Sequence, residues 1–162
     1  MYERVLVTLD GSQFAESAIQ HATRVTTPGG RIHLLSVVTE DPVSEVSALA
    51  TALAQPFGMI DVQFTPDALA KHQEYVAARR DYLTQLAEML QSKGYEVITE
   101  VRAGNPIDEI VTVAEGGMEI VIMASHGRTG FSRLALGSVA EGVLRRAPCP
   151  VLIIPIAAAA PQ

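Results

Sequence analysis

The chain holds one cysteine, Cys149, which excludes an internal disulfide framework and a cysteine-rich zinc module. A lone thiol between two prolines beside an apolar run reads as a packed, inert group and suits a reducing compartment. The longest apolar stretches, near 5–9, 32–38 and 151–156, fall far short of the roughly 18 to 20 residues that a membrane-spanning helix needs. Residues 1–10 lack the basic start and apolar tract of a secretory signal, so the expected location is the cytoplasm, with no membrane partner. Basic residues are few: 12 Lys and Arg stand against 18 Asp and Glu, a formal net charge of −6, and no nucleic-acid partner is expected. His21, His33 and His72 have no carboxylate or thiol at ligand spacing, so no histidine metal site is expected. No Gly-x4-Gly-Lys-Ser/Thr occurs, and efficient P-loop hydrolysis is not expected either.

What the chain does contain is 162 residues at 48 % hydrophobic content, enough for one sizeable core. Short β-branched runs alternate with helical patterns, the signature of an α/β fold with a parallel sheet and crossover helices. The expected strands are 4–9, 32–38, 96–101, 119–123 and 151–156. Between them the spacing predicts a helix capped by Ser12 and ended by Pro28-Gly29-Gly30, with Ala18, Ile19, Ala22 and Val25 among its apolar positions. A long helix is expected from Pro66 to about Ser92, with Tyr82, Leu83, Leu86, Met89 and Leu90 on one side. A third follows the Gly104-Asn105-Pro106 turn, and a last one runs over 138–146. Residues 39–65 form a variable insert without an assignment, and 157–162 read as a frayed tail to a single domain over 1–156.

Candidate function concentrates in two turns that an open parallel sheet would bring face to face at the carboxyl ends of its strands. After strand one come Asp10 and Gly11; after strand four comes Ala-Ser-His-Gly-Arg-Thr-Gly at 124–130, then Gly137-Ser138 opening a helix. Gly127, Gly130 and Gly137 let backbone N–H groups approach phosphate oxygens, while Ser138 adds a hydroxyl and the positive end of a helix dipole. Arg128 offers a charge-assisted contact, and Arg133, Arg145 and Arg146 complete a small basic segment suited to a compact anion. His126 reads as a packing residue or ligand contact in this loop, although its titration near neutrality also suits acid–base work.

The spacing Ala124-x-x-Gly127-x9-Gly137-Ser138 resembles the Gly-x-x-Gly-x9-Gly-Ser/Thr nucleotide motif of universal stress proteins. The segments Val5 to Ser12, Gly104-Asn105-Pro106 and Ala147 to Ile154 resemble family segments in the same order. The resemblance implies a Rossmann-like five-stranded parallel sheet of order 3-2-1-4-5 that holds ATP, with magnesium only as its companion. It places Asp10 by the ribose, Thr8 in the base pocket and the backbone of Val37 at the adenine edge. Ala124, Ser125, His126, Gly127, Arg128, Thr129, Gly130 and Gly137, with Ser138, Val139 and Ala140, would wrap the phosphates. Ala124 departs from the motif's first glycine, and its methyl group would crowd a nucleotide if the backbone came close or needed positive φ. Thr8 stands where many ATP-binding members carry proline.

The leading expectation is a stress-response binding module that ATP switches for an unidentified protein partner. Two others are a slow magnesium-dependent ATP-hydrolysing enzyme using Asp10, and a dimeric interaction module without nucleotide. The apolar edge run Val151, Leu152, Ile153 and Ile154 is expected to pair with a second copy across a twofold axis, as the resemblance also implies.

Overall fold

The computed structural model describes residues 1–39, 66–125 and 136–155. Five parallel strands form one sheet in the order β3-β2-β1-β4-β5. They are β1 Tyr2–Thr8, β2 Thr26–Val38, β3 Glu96–Ala103, β4 Ile120–Ala124 and β5 Val151–Ile154. The helices are α1 Gln13–Val25, α2 Pro66–Gln91, α3 Pro106–Glu115 and α4 Ser138–Arg146. The fold class, strand order and every assigned element match the expectation from sequence; the insert over 39–65 lies almost wholly outside the described residues, and the tail over 157–162 entirely so. No described helix is long and apolar enough to cross a membrane.

Alternation along the strands sorts the side chains into two cores, because successive residues of a strand face opposite sides. Val5, Val7, Ile32, Leu34, Ile120 and Ile122 pack against Ala18, Ile19 and Ala22 of α1 and Leu83, Ala87 and Leu90 of α2. Leu6, Leu35, Val121 and Met123 pack on the opposite face against Ile110, Val113 and Ala114 of α3 and Ala140 and Val143 of α4. β1 is therefore sealed on both faces, as a central parallel strand requires. On α2 the buried stripe runs through Leu83, Ala87 and Leu90, so Met89, expected on that side, points out and is 39 % exposed.

Several boundaries move for identifiable reasons. α1 ends at Val25, three residues ahead of Pro28, and the Thr26 hydroxyl donates to the Ala22 carbonyl at 2.7 Å where the chain leaves the helix. β2 thus begins at Thr26 and absorbs Pro28-Gly29-Gly30 in a register shift between the pairs Tyr2–Thr26 and Arg4–Arg31. β3 runs on to Ala103, and the Gly104 N–H donates to Val38 O at 3.0 Å. β5 stops at Ile154 because Pro155 has no N–H to extend the ladder. Asn105 caps α3, its side-chain oxygen accepting from Ile107 N at 2.9 Å and Asp108 N at 3.4 Å. α3 and α4 approach closely at Gly142, where an added Cβ would lie 2.9 Å from Ile107 Cγ1.

His33 on β2 is 8 % exposed, with its Nε2 3.0 Å from a Glu100 carboxylate oxygen. Burial lowers its pKa below the usual histidine value, outweighing the Glu100 carboxylate, which raises it; Arg102 and Arg31 add to the lowering. A histidine depressed in the folded state binds fewer protons there than in the unfolded chain. Its contribution is therefore intact above the unfolded pKa, near 6.5, and is lost as pH falls through the folded value. Urea unfolding should show stability declining below about pH 6.5, with His33→Gln flattening that slope. An unchanged slope in the variant would contradict the assignment.

Candidate functional site

The sheet order changes direction at β1: the chain moves outward to β2 and β3 on one side, then returns to place β4 and β5 on the other. The connections leave the carboxyl ends of β1 and β4 towards opposite faces, which opens a crevice between them. Thr8 closes β1, paired with Leu35, and the Leu9 N–H still donates to Leu35 O at 2.8 Å. The chain then leaves the sheet at Asp10 and turns at Gly11, whose φ of 78° favours glycine. Asp10 Oδ1 accepts from the Ser12 N–H at 3.0 Å and the Ser12 hydroxyl at 2.7 Å, fixing the carboxylate in the turn. Its other oxygen, Oδ2, is buried without a hydrogen-bond partner among the described residues. A buried acceptor of this kind is costly to leave unpaired, and a ligand hydroxyl would satisfy it.

On the other side of the crevice, Ala124 ends β4 opposite Ile154. The Ser125 N–H donates to Ile154 O at 2.8 Å, and Ser125 O accepts from the Gly137 N–H at 2.8 Å. These two bonds tie the start of α4 to the end of β4. The first intrahelical bond runs from Glu141 N to Gly137 O at 2.9 Å, so the N–H groups of Ser138, Val139 and Ala140 have no partner within the helix. Three N–H groups and the helix dipole offer a site for an anion.

Some expected roles change. Gly137 has φ −62° and ψ 147°, an ordinary extended conformation, and its N–H is already bonded to Ser125, so it is not a free phosphate donor. Among the described residues no side-chain-bearing residue adopts positive φ, which removes that objection to Ala124. Arg145 and Arg146 sit in the last turn of α4, away from its N-terminal end, and pair with Glu141 at 2.8 Å and Asp108 at 2.6 Å. They belong to the surface rather than to the crevice. His126, Gly127, Arg128, Thr129, Gly130 and Arg133 lie outside the described residues.

Val37 is half-buried near the carboxyl end of β2, beside β1 in the sheet. β5 lies at the sheet edge, paired with β4. Cys149 is half-buried against the α3–α4 core, and burial pushes its thiol pKa up, away from the reactive thiolate. Among the described residues no group of three or more His, Cys, Asp or Glu side chains could hold a metal ion. Sequence reasoning passed over Arg79. Its available signal was spacing: 79, 83, 87 and 90 fall on one helical stripe, so the guanidinium continues the buried face of α2 by one turn.

The class defined by this geometry is a doubly wound α/β domain with a crevice at the switch point of the sheet. The chain belongs to the universal stress protein family, whose model matches residues 1–155. It is 29 % identical over 156 residues to universal stress protein MJ0577 of Methanocaldococcus jannaschii, covering 95 % of each chain. It is 26 % identical to universal stress protein YxiE of Bacillus subtilis, covering 95 % of this chain and 99 % of that one. The solved structure of MJ0577 superposes with a TM-score of 0.76 over 98 % of this chain and 99 % of the other, at 27 % identity. A universal stress protein family structure from Arabidopsis thaliana with AMP bound shares the fold at a TM-score of 0.60 and 16 % identity, covering 95 % and 92 % of the two chains.

Because Ala124 occupies an ordinary strand position, Ala124→Gly should lower stability by about 0.5–1 kcal/mol through added unfolded-state freedom. Chemical denaturation measures this, and a stabilised variant would show that the methyl group is strained.

Proposed function

We propose that this chain binds an adenine nucleotide, ATP, in the crevice between the ends of β1 and β4, and acts as a nucleotide-responsive stress-response module. The observation that carries this reading is the presence at one switch point of a part-buried Asp10 carboxylate, whose Oδ2 is buried and unpartnered among the described residues, and of three N–H groups that have no partner within α4. A ribose supplies hydroxyl donors and a phosphate chain supplies anionic acceptors, so one nucleotide answers both needs. AMP in the Arabidopsis family structure supports the choice of ligand class.

Asp10 would accept from the ribose, Thr8 would line the base pocket and the Val37 backbone would meet the adenine edge. Ser138, Val139 and Ala140 would donate to phosphate, with Ala124, Ser125 and residues 126–130 alongside. Any magnesium would arrive on the phosphates near Asp10. The missing P-loop signature favours retention of ATP over rapid turnover. The protein purified without added nucleotide, precipitated with acid and run on an ion-exchange column should release near-stoichiometric ATP. An empty protein that also fails to bind magnesium-ATP on titration would refute the proposal.

We further propose a cytoplasmic homodimer in which β5 pairs with its copy, because an exposed strand edge with the run Val151-Leu152-Ile153-Ile154 invites pairing. The nucleotide-bound dimer would then present its surface to a protein partner. Sedimentation at micromolar concentration should give the dimer mass, and a monomer would contradict this assembly.

A further inference from the structure

α2 delivers a guanidinium to the turn that carries Asp10. Arg79 is 9 % exposed, a buried cation at the upper end of the stripe through Leu83, Ala87 and Leu90. Gly11 provides the space for it: a Cβ there would overlap Nη1, lie 2.5 Å from Cζ and 3.0 Å from Nη2. Nη2 donates to the Tyr75 hydroxyl at 2.6 Å, and the guanidinium carbon lies 5.0 Å from the centroid of the Tyr75 ring. No carboxylate forms an ion pair with Arg79 among the described residues, including Asp10, one residue from Gly11. Among the described residues, a buried cation without an anion and a buried Asp10 Oδ2 without a donor thus come to the same turn and do not satisfy each other. Each is unfavourable in the unliganded fold, and a ligand carrying both a hydroxyl and an anionic oxygen would relieve both.

Resting on the nucleotide reading above, we propose that Arg79 is a further binding residue, donating to a phosphate oxygen of the nucleotide whose ribose Asp10 holds. Its role is to select phosphorylated adenosine over the bare nucleoside. A guanidinium suits it because its several N–H donors can keep the Tyr75 contact while taking an anionic oxygen.

The test is Arg79→Met, which keeps most of the stem and removes the charge, with ATP, AMP and adenosine titrated by calorimetry and melting followed without ligand. ATP and AMP should weaken about tenfold or more, adenosine less than about threefold. The unliganded melting temperature should hold or rise, because an unpaired buried charge has gone. Arg79→Lys should retain part of the preference for phosphate. If the methionine variant does not fold, Arg79→Gln is read by the same comparison. Equal losses for all three ligands, or a lower melting temperature with unchanged affinities, would assign Arg79 to packing and overturn the proposal. Wild-type protein that binds none of the three would remove the nucleotide reading and this role with it.

Discussion

The two hydrogen-bonded ladders flanking β1 fix the geometry on which everything near the crevice depends. β2 pairs with one edge of β1 over Arg4 to Thr8, and β4 pairs with the other over Val5 to Val7. Val5, Leu6 and Val7 are buried on alternate faces, so a one-residue slip in either ladder would exchange core and opposite-face side chains along the whole strand. That register places the Asp10 turn beyond the end of β1 and the start of the 124–137 connection beyond the end of β4. The crevice is a consequence of topology, and its chemistry comes from the few polar groups that topology leaves there.

Those groups are held by short bonds between backbone and side chain. Asp10 is oriented through Ser12, and the start of α4 is tied to the sheet through Ser125, whose N–H and carbonyl reach Ile154 and Gly137 respectively. The same short connection links the edge strand β5 to the first turn of α4.

Fold and strand order were legible in the sequence because β-branched runs and helical stripes alternate cleanly from Val5 to Ile154. Boundaries were less so. The punctuation at Pro28-Gly29-Gly30 marks the end of α1 to within three residues, but no propensity argument reveals that this segment enters β2 through a register shift. The candidate site was half legible: Asp10 follows from its place in the turn after β1, and Ser125 and Ser138 from the motif spacing after β4, whereas the Gly137 N–H bonds within the chain and Arg145 and Arg146 pair on the surface. Arg79 was hidden because it comes from a distant helix, and its significance depends on Gly11 making room for it across the fold.

If one ligand bridges the β1 turn and the first turn of α4, backbone amide shifts in a heteronuclear NMR titration with magnesium-ATP will report both turns together. Saturable shifts are expected at Asp10, Gly11 and Ser12 and at Ser138, Val139 and Ala140, with the opposite end of the sheet near Arg4 and Arg31 unmoved. Shifts confined to that opposite end, or absent at both turns under saturating nucleotide, would contradict a bridging ligand.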